Sequence, residues 1–326
     1  MSTATTRSVA VNGQTLQITE QGDGPLVLLC HGFPETRYAW RHQIGALAAA
    51  GFHAVAPDMR GVGGSTGPER ADQYTVLHLL GDMVALLDAL GAEAAVIVGN
   101  DWGSTLAWQA ALLRPDRFRA VAAIGVPFMK RAPAPPTMIF PQTDDALFYT
   151  LYFQPEGVAE GEFERDARLT LRKILFGASA EAGPRQPGDG TPNPFAMVSR
   201  TQGLLAPLPD PERLPHWLTE ADLDAFTAAY AKSGFRGGLN LYRNLDRNWE
   251  QQAAFAGRKV TVPALYMVGE RDVGLAFPGM RDLIAGMTED VPGLQQAVFI
   301  PECGHWAPQE KPEQVSDALT TFLRDL

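Results

Sequence analysis

The chain predicts an α/β fold, a mostly parallel, doubly wound sheet with a helical insertion, and three observations carry that expectation. Short apolar runs such as Leu26-Val27-Leu28-Leu29-Cys30 and Ala264-Leu265-Tyr266-Met267-Val268 alternate with helical patterns. Such runs mark strands covered on both faces of a parallel sheet. The alternation stops between residues 130 and 249, where helical and loop-like sequence rich in Pro, Phe and Tyr takes over. Finally, Ala94-Ala95-Val96-Ile97-Val98-Gly99 runs directly into Asn100-Asp101-Trp102-Gly103-Ser104. Small residues around one reactive side chain let a strand turn sharply into a helix and hold that side chain out at the tip.

The elements follow in order. Ser8-Val9-Ala10-Val11 and Thr15-Leu16-Gln17-Ile18-Thr19 flank Asn12-Gly13, a hairpin turn signal that opens the sheet with an antiparallel edge. Strands are expected at 26–30, at 52–56 (ended by Pro57-Asp58), at 94–99 and at 121–126. Residues 130–249 are read as a helical cap inserted after that last strand, and residues 1–129 and 250–326 as the α/β core. Within the cap, the Pro/Gly-rich stretch 183–192 reads as a surface loop, either a plain connection or a gate. Strands at 264–268 and 297–300 complete the sheet.

Composition bounds the function. The 326 residues are 45% hydrophobic and carry a net charge of −10, enough chain for a sizeable core with one insertion. The acidity argues against nucleic acid or an anionic membrane as partner. Cys30 and Cys303 both lie in or beside apolar runs, so no structural disulfide is expected. The first residues have no apolar signal core, and no apolar stretch approaches the roughly 18 residues of a spanning helix; a soluble, cytoplasmic monomer or homodimer is expected. No His/Cys/Asp cluster has metal-ligand spacing and no dinucleotide fingerprint is present, so neither metal nor cofactor is expected. Arg60-Gly61-Val62-Gly63-Gly64-Ser65 lacks the Gly-Lys-Ser/Thr ending of a phosphate loop and reads as a structural turn.

The elbow narrows the chemistry. Serine usually occupies such a tip; here it is Asp101. A carboxylate nucleophile forms an alkyl-enzyme ester, which suits an epoxide or alkyl halide carbon better than an ester or amide carbonyl. Asp101 would also make a good helix N-cap. What favours the nucleophile is that an acidic motif, Gly269-Glu270-Arg271-Asp272, and a histidine motif, Cys303-Gly304-His305-Trp306, follow later strands in that chain order. The other histidines, His31, His42, His53, His78 and His216, lack such placement; His31 is read as organising its own loop.

Together with His31-Gly32-Phe33-Pro34-Glu35, Leu151-Tyr152-Phe153-Gln154, Gly157-Val158-Ala159-Glu160 and Leu239-Asn240-Leu241-Tyr242-Arg243-Asn244, these motifs make the chain resemble the soluble epoxide hydrolase family of the α/β-hydrolase fold. It is similar over nearly its whole length to the hydrolase domain of the mammalian enzyme and to bacterial relatives, without an N-terminal phosphatase domain. The resemblance implies an epoxide hydrolase that makes a vicinal diol. Asp101 would be the nucleophile, His305 the base that activates water, and Asp272 the acid that orients it, with Glu270 and Glu302 as weaker competitors for that last role. The Phe33 and Trp102 amides would form an oxyanion hole, the Phe33-Pro34 peptide would be cis, and Phe33, Pro34 and Trp102 would line the substrate pocket. Tyr152 and Tyr242 would donate to the epoxide oxygen, with Tyr149, one helical turn away, as the alternative to Tyr152. The apolar cap implies a hydrophobic or aromatic epoxide. Asn100 stands where many relatives carry histidine. A haloalkane dehalogenase with the same nucleophile is the competing enzyme, although it would need weak indole or amide donors for a halide. A haloacetate variant is disfavoured, because Trp102-Gly103-Ser104-Thr105 offers no arginine for a substrate carboxylate. A non-catalytic ligand receptor on the same fold is the competing non-enzyme.

Overall fold

The computed structural model describes residues 3–184, 191 and 193–326. Strands β1 (Thr5–Val11) and β2 (Gln14–Gln21) form the opening hairpin. Asn12 and Gly13 both take positive φ at its tip, as a two-residue hairpin turn demands. There follow β3 (Leu26–Cys30), β4 (His53–Pro57), β5 (Ala95–Asn100) and β6 (Phe118–Ile124), then a small pair, β7 (Ala146–Phe148) and β8 (Met197–Ser199), and finally β9 (Ala264–Gly269) and β10 (Leu294–Ile300). The main sheet runs β1-β2-β4-β3-β5-β6-β9-β10. β2 pairs antiparallel with β1 and β4, and the pairs from β4 to β10 are parallel. β10 begins three residues before its apolar end because it is an edge strand: Gln295, Gln296 and Ala297 are exposed, and an edge needs burial over only part of its length.

Side chains alternate across each strand, and the two resulting faces carry separate cores. Leu26, Leu28, Ile97, Val121 and Tyr266 face one way, onto α2 (Val76–Ala89) and α3 (Trp102–Leu113). Val27, Leu29, Val96, Ala122 and Met267 face the other, onto α1 (Arg41–Ala49) and the C-terminal helix Pro312–Arg324. This is why the strands read as continuous apolar runs rather than alternating ones. Cys30 and Cys303 are buried free thiols, and burial pushes the Cys30 thiol up to about 12.

Between β6 and β9 the chain builds α4 (Pro136–Ile139), α5 (Tyr149–Tyr152), α6 (Val158–Phe163), α7 (Ala167–Gly177), α8 (Glu220–Ser233), α9 (Arg236–Arg243) and α10 (Leu245–Gln252), with the β7–β8 pair among them. Beyond β9 come α11 (Met280–Ala285), α12 (Ala307–Glu310) and α13, the C-terminal helix (Pro312–Arg324). The first core runs on into the insert: Phe33, 1% exposed, meets the rings of Phe153, Phe163, Tyr230, Phe235 and Tyr242 at centroid distances of 5.8–6.5 Å. Most of the stretch 183–192 expected to form a loop or gate, namely 185–190 and 192, lies outside the described residues. Among the described residues no helix is long and apolar enough to cross a membrane.

Candidate active site

The site lies at the carboxyl ends of the parallel strands, where a doubly wound sheet opens its crevice. β5 ends at Asn100 and α3 begins at Trp102, leaving Asp101 alone at the turn with φ 55° and ψ −119°. A side chain in that region is strained and persists only where the surroundings enforce it. The glycines do so. A Cβ on Gly99 would lie 1.9 Å from the Gly103 carbonyl oxygen, and one on Gly103 would lie 2.0 Å from that of Cys30. Strand, turn and helix thus pack at a distance only glycine permits.

Around this tip the predicted catalytic groups converge. The Phe33-Pro34 peptide is cis, and the Phe33 N–H donates to Asp101 Oδ1 at 2.8 Å. Trp102 opens α3, so its N–H has no partner within the helix. His31 holds the Phe33 loop: its Nδ1 meets the Gly32 carbonyl at 2.8 Å and its Nε2 accepts from the Met59 N–H at 2.9 Å. His305 Nε2 is 3.4 Å from Asp101 Oδ2, and its Nδ1 is 2.9 Å from Asp272 Oδ2. The other Asp272 oxygen caps the short turn Val273–Ala276, accepting from the Gly274 N–H at 2.7 Å. Asp272 is therefore both cap and partner, and the cap fixes the carboxylate that meets the imidazole. Burial by itself would lower the His305 pKa, but Asp272, with Asp101 behind it, holds it well above the ordinary histidine value.

The tyrosines need one correction. Tyr242, 2% exposed on α9, stands with its ring 5.1 Å from that of Trp102 and 5.7 Å from that of Tyr149. Burial raises its pKa and the Asp101 charge adds to that. Tyr152 does not join it. Its hydroxyl donates to Glu162 Oε2 at 2.7 Å, and Glu162 in turn accepts from the Leu204 and Leu205 N–H groups. Tyr149 takes the place expected of Tyr152: burial, then the charges of Asp101 and Asp272, raise its pKa, and it packs on Phe195, whose ring is 5.3 Å from His305. The reason is geometric. The Tyr149 N–H is tied to the Ala196 carbonyl beside β8, and three residues of helix advance about 4.5 Å, carrying Tyr152 to Glu162 on α6. Gln154 bridges the two tyrosine segments, donating to the Thr150 and Tyr242 carbonyls.

Three buried polar residues went unread in the sequence. Glu35, fully buried, accepts from Asn100 Nδ2 at 3.0 Å and from Gln309 Nε2 at 2.8 Å, and burial raises its pKa. Asn100 thus links the elbow to a buried carboxyl. Glu310 holds backbone N–H groups around His305. The only available signal was position, since Glu35 closes the His31-Gly32-Phe33-Pro34-Glu35 motif.

The chain matches the α/β hydrolase fold family over residues 25–312. It is 43% identical to epoxide hydrolase A of Mycobacterium tuberculosis, covering 100% of this chain and 99% of that protein. It is 37% identical to epoxide hydrolase 2 of Siraitia grosvenorii, covering 97% of each. Its structure superposes on an epoxide hydrolase from an endophytic Streptomyces with a TM-score of 0.93 at 42% identity, covering 98% of this chain and 95% of that one.

Proposed function

The chain belongs to the epoxide hydrolases of the α/β-hydrolase fold, and on that footing we propose that Asp101, His305 and Asp272 hydrolyse the epoxide in two steps, with Tyr149 and Tyr242 as the acids of the first. Asp101 Oδ2 attacks an epoxide carbon while the two phenols donate to the ring oxygen, a contact that strengthens as the alkoxide forms. The product is an alkyl ester of Asp101. Water, deprotonated by His305, then attacks the ester carbonyl carbon; the oxyanion sits on the Phe33 and Trp102 amides, and the vicinal diol leaves.

The charges time the two steps. In the free enzyme two carboxylates raise the His305 pKa and favour its cation. Alkylation cancels the Asp101 charge, so the imidazole pKa falls and the free base appears when water must be activated. The proton it gives up balances the one the phenols supply to the alkoxide. We read residues 130–249 as the cap. We read the substrate as hydrophobic or aromatic, because Phe33, Trp102, Phe153 and Phe195 wall the site.

The observation that carries the reading is the alignment of Asp101 between the Phe33 N–H at 2.8 Å and His305 Nε2 at 3.4 Å. His305→Gln tests it: mixed with styrene oxide, the variant accumulates an ester on Asp101, seen as a mass increase of the intact protein. Turnover at the wild-type rate would remove His305 from the mechanism.

A further inference from the structure

His305 sits in the loop that follows β10, five residues beyond its end at Ile300. Gly304 lacks the room for a side chain: a Cβ there would lie 2.4 Å from the Ala180 nitrogen and 2.7 Å from the Ala178 carbonyl oxygen. The base loop is therefore pressed against the segment that leaves α7, which belongs to the insert. Four hydrogen bonds join this side of the core to the insert. The His305 N–H donates to the Ala178 carbonyl at 3.0 Å. The Trp306 indole N–H donates to the Leu175 carbonyl at 2.8 Å. The Ala180 N–H donates to Glu310 Oε2 at 2.9 Å, and Arg271, beside the acid Asp272, reaches the Ala180 carbonyl at 3.4 Å.

Glu310 is the node. It is 5% exposed, and its Oε2 accepts from Gly304 N–H as well as Ala180 N–H, both at 2.9 Å, while its Oε1 accepts from Trp306 N–H at 3.0 Å. One carboxylate thus grips the residues on both sides of the catalytic histidine and the insert at once. Such a buried acceptor is costly to leave in place without a structural return, and two of its three donors belong to the loop itself. We propose that Glu310 is a positioning residue that clamps His305 between the core and the insert, so that it serves the water-activating step and not the alkylation. The proposal rests on the reading of His305 as base. An amide cannot reproduce the grip: glutamine offers a single acceptor oxygen and turns an N–H₂ toward backbone donors.

The test measures the half-reactions of Glu310→Gln with styrene oxide, following alkylation by stopped-flow tryptophan fluorescence and the ester by intact mass. The expected result is alkylation near the wild-type rate, hydrolysis slowed by about 10–10²-fold, as for an ångström-scale misplacement, and accumulated ester. In steady state kcat and KM fall together while kcat/KM holds. Equal loss in both steps, or no loss in hydrolysis, overturns the proposal. Glu310→Asp, which keeps both acceptor oxygens on a side chain one methylene shorter, decides the matter if Glu310→Gln does not fold: a smaller loss confined to hydrolysis supports the clamp, and an unchanged hydrolysis rate overturns it. His305→Gln runs alongside. If it traps the ester and the clamp variants do not slow hydrolysis, only the clamp is wrong; if it fails to trap, the base assignment itself has fallen.

Discussion

The sheet-borne and insert-borne halves of the site differ in what fixes their side chains. On the core side, Asp101 and Asp272 follow β5 and β9 within three residues, so strand ends set their positions, while His305 follows β10 in a loop that Glu310 and the insert hold. On the insert side, Tyr149 and Tyr242 sit on short helices whose facing depends on contacts far away in sequence: Ala196 for the first, Gln154 and Trp102 for the second. Local pattern therefore places Asp101 and Asp272, and tertiary contact places the two tyrosines and steadies His305.

The comparison can be pressed hardest on the core side. Asp272→Asn should slow hydrolysis by about 10³–10⁴-fold, since the imidazole loses both its orientation and the charge that stabilises its cation; single-turnover stopped-flow reads this, and alkylation should persist. Next comes the insert. Tyr149→Phe should slow alkylation by roughly 10–10³-fold, the range for losing one oxyanion-type donor of two, and the Tyr149/Tyr242 double phenylalanine variant should nearly abolish it with the circular dichroism spectrum intact. An alkylation rate unchanged in Tyr149→Phe but lost in Tyr152→Phe would reverse the assignment made from the structure.

A subtler effect links the halves electrostatically. Asp101→Asn removes one of the two charges that raise His305, so the imidazole should titrate at lower pH than in the wild-type enzyme. Its Cε1–H resonance in an NMR titration reports the direction, and an upward move would contradict the timing of the two steps. The smallest effect belongs to Tyr152→Phe. It should leave both half-reactions alone and cost about 1 kcal/mol of stability from the lost bond to Glu162, visible as a lowered denaturation midpoint.

These differences also explain what the sequence could reveal. The sheet, its antiparallel opening, the elbow and the placement of Asp101, Asp272 and His305 after successive strands were legible, because strand runs and small-residue turns are local. The edge strand β10 was read short, since only its last residues are apolar. Tyr152 was preferred to Tyr149 because both lie three positions apart on a four-residue helix, and nothing in that spacing says which one meets a glutamate on α6. Glu35, Gln309 and Glu310 were missed because a buried polar residue in the interior looks, in sequence, like an exposed one; only its partners distinguish it.

The hydrogen bond from Phe33 N–H to Asp101 Oδ1 has an isotopic consequence. It makes the two carboxylate oxygens inequivalent: Oδ1 is held against the amide, while Oδ2, facing His305, is the one that departs in each diol and is replaced from water. In heavy-oxygen water the first diol should carry light oxygen drawn from the enzyme, and later diols should carry the label. The protein itself should then retain one heavy oxygen in Asp101 however many turnovers follow, because the oxygen gripped by the backbone never changes place. A peptide mass showing both oxygens exchanged would mean that the side chain rotates between cycles and that the amide does not hold it.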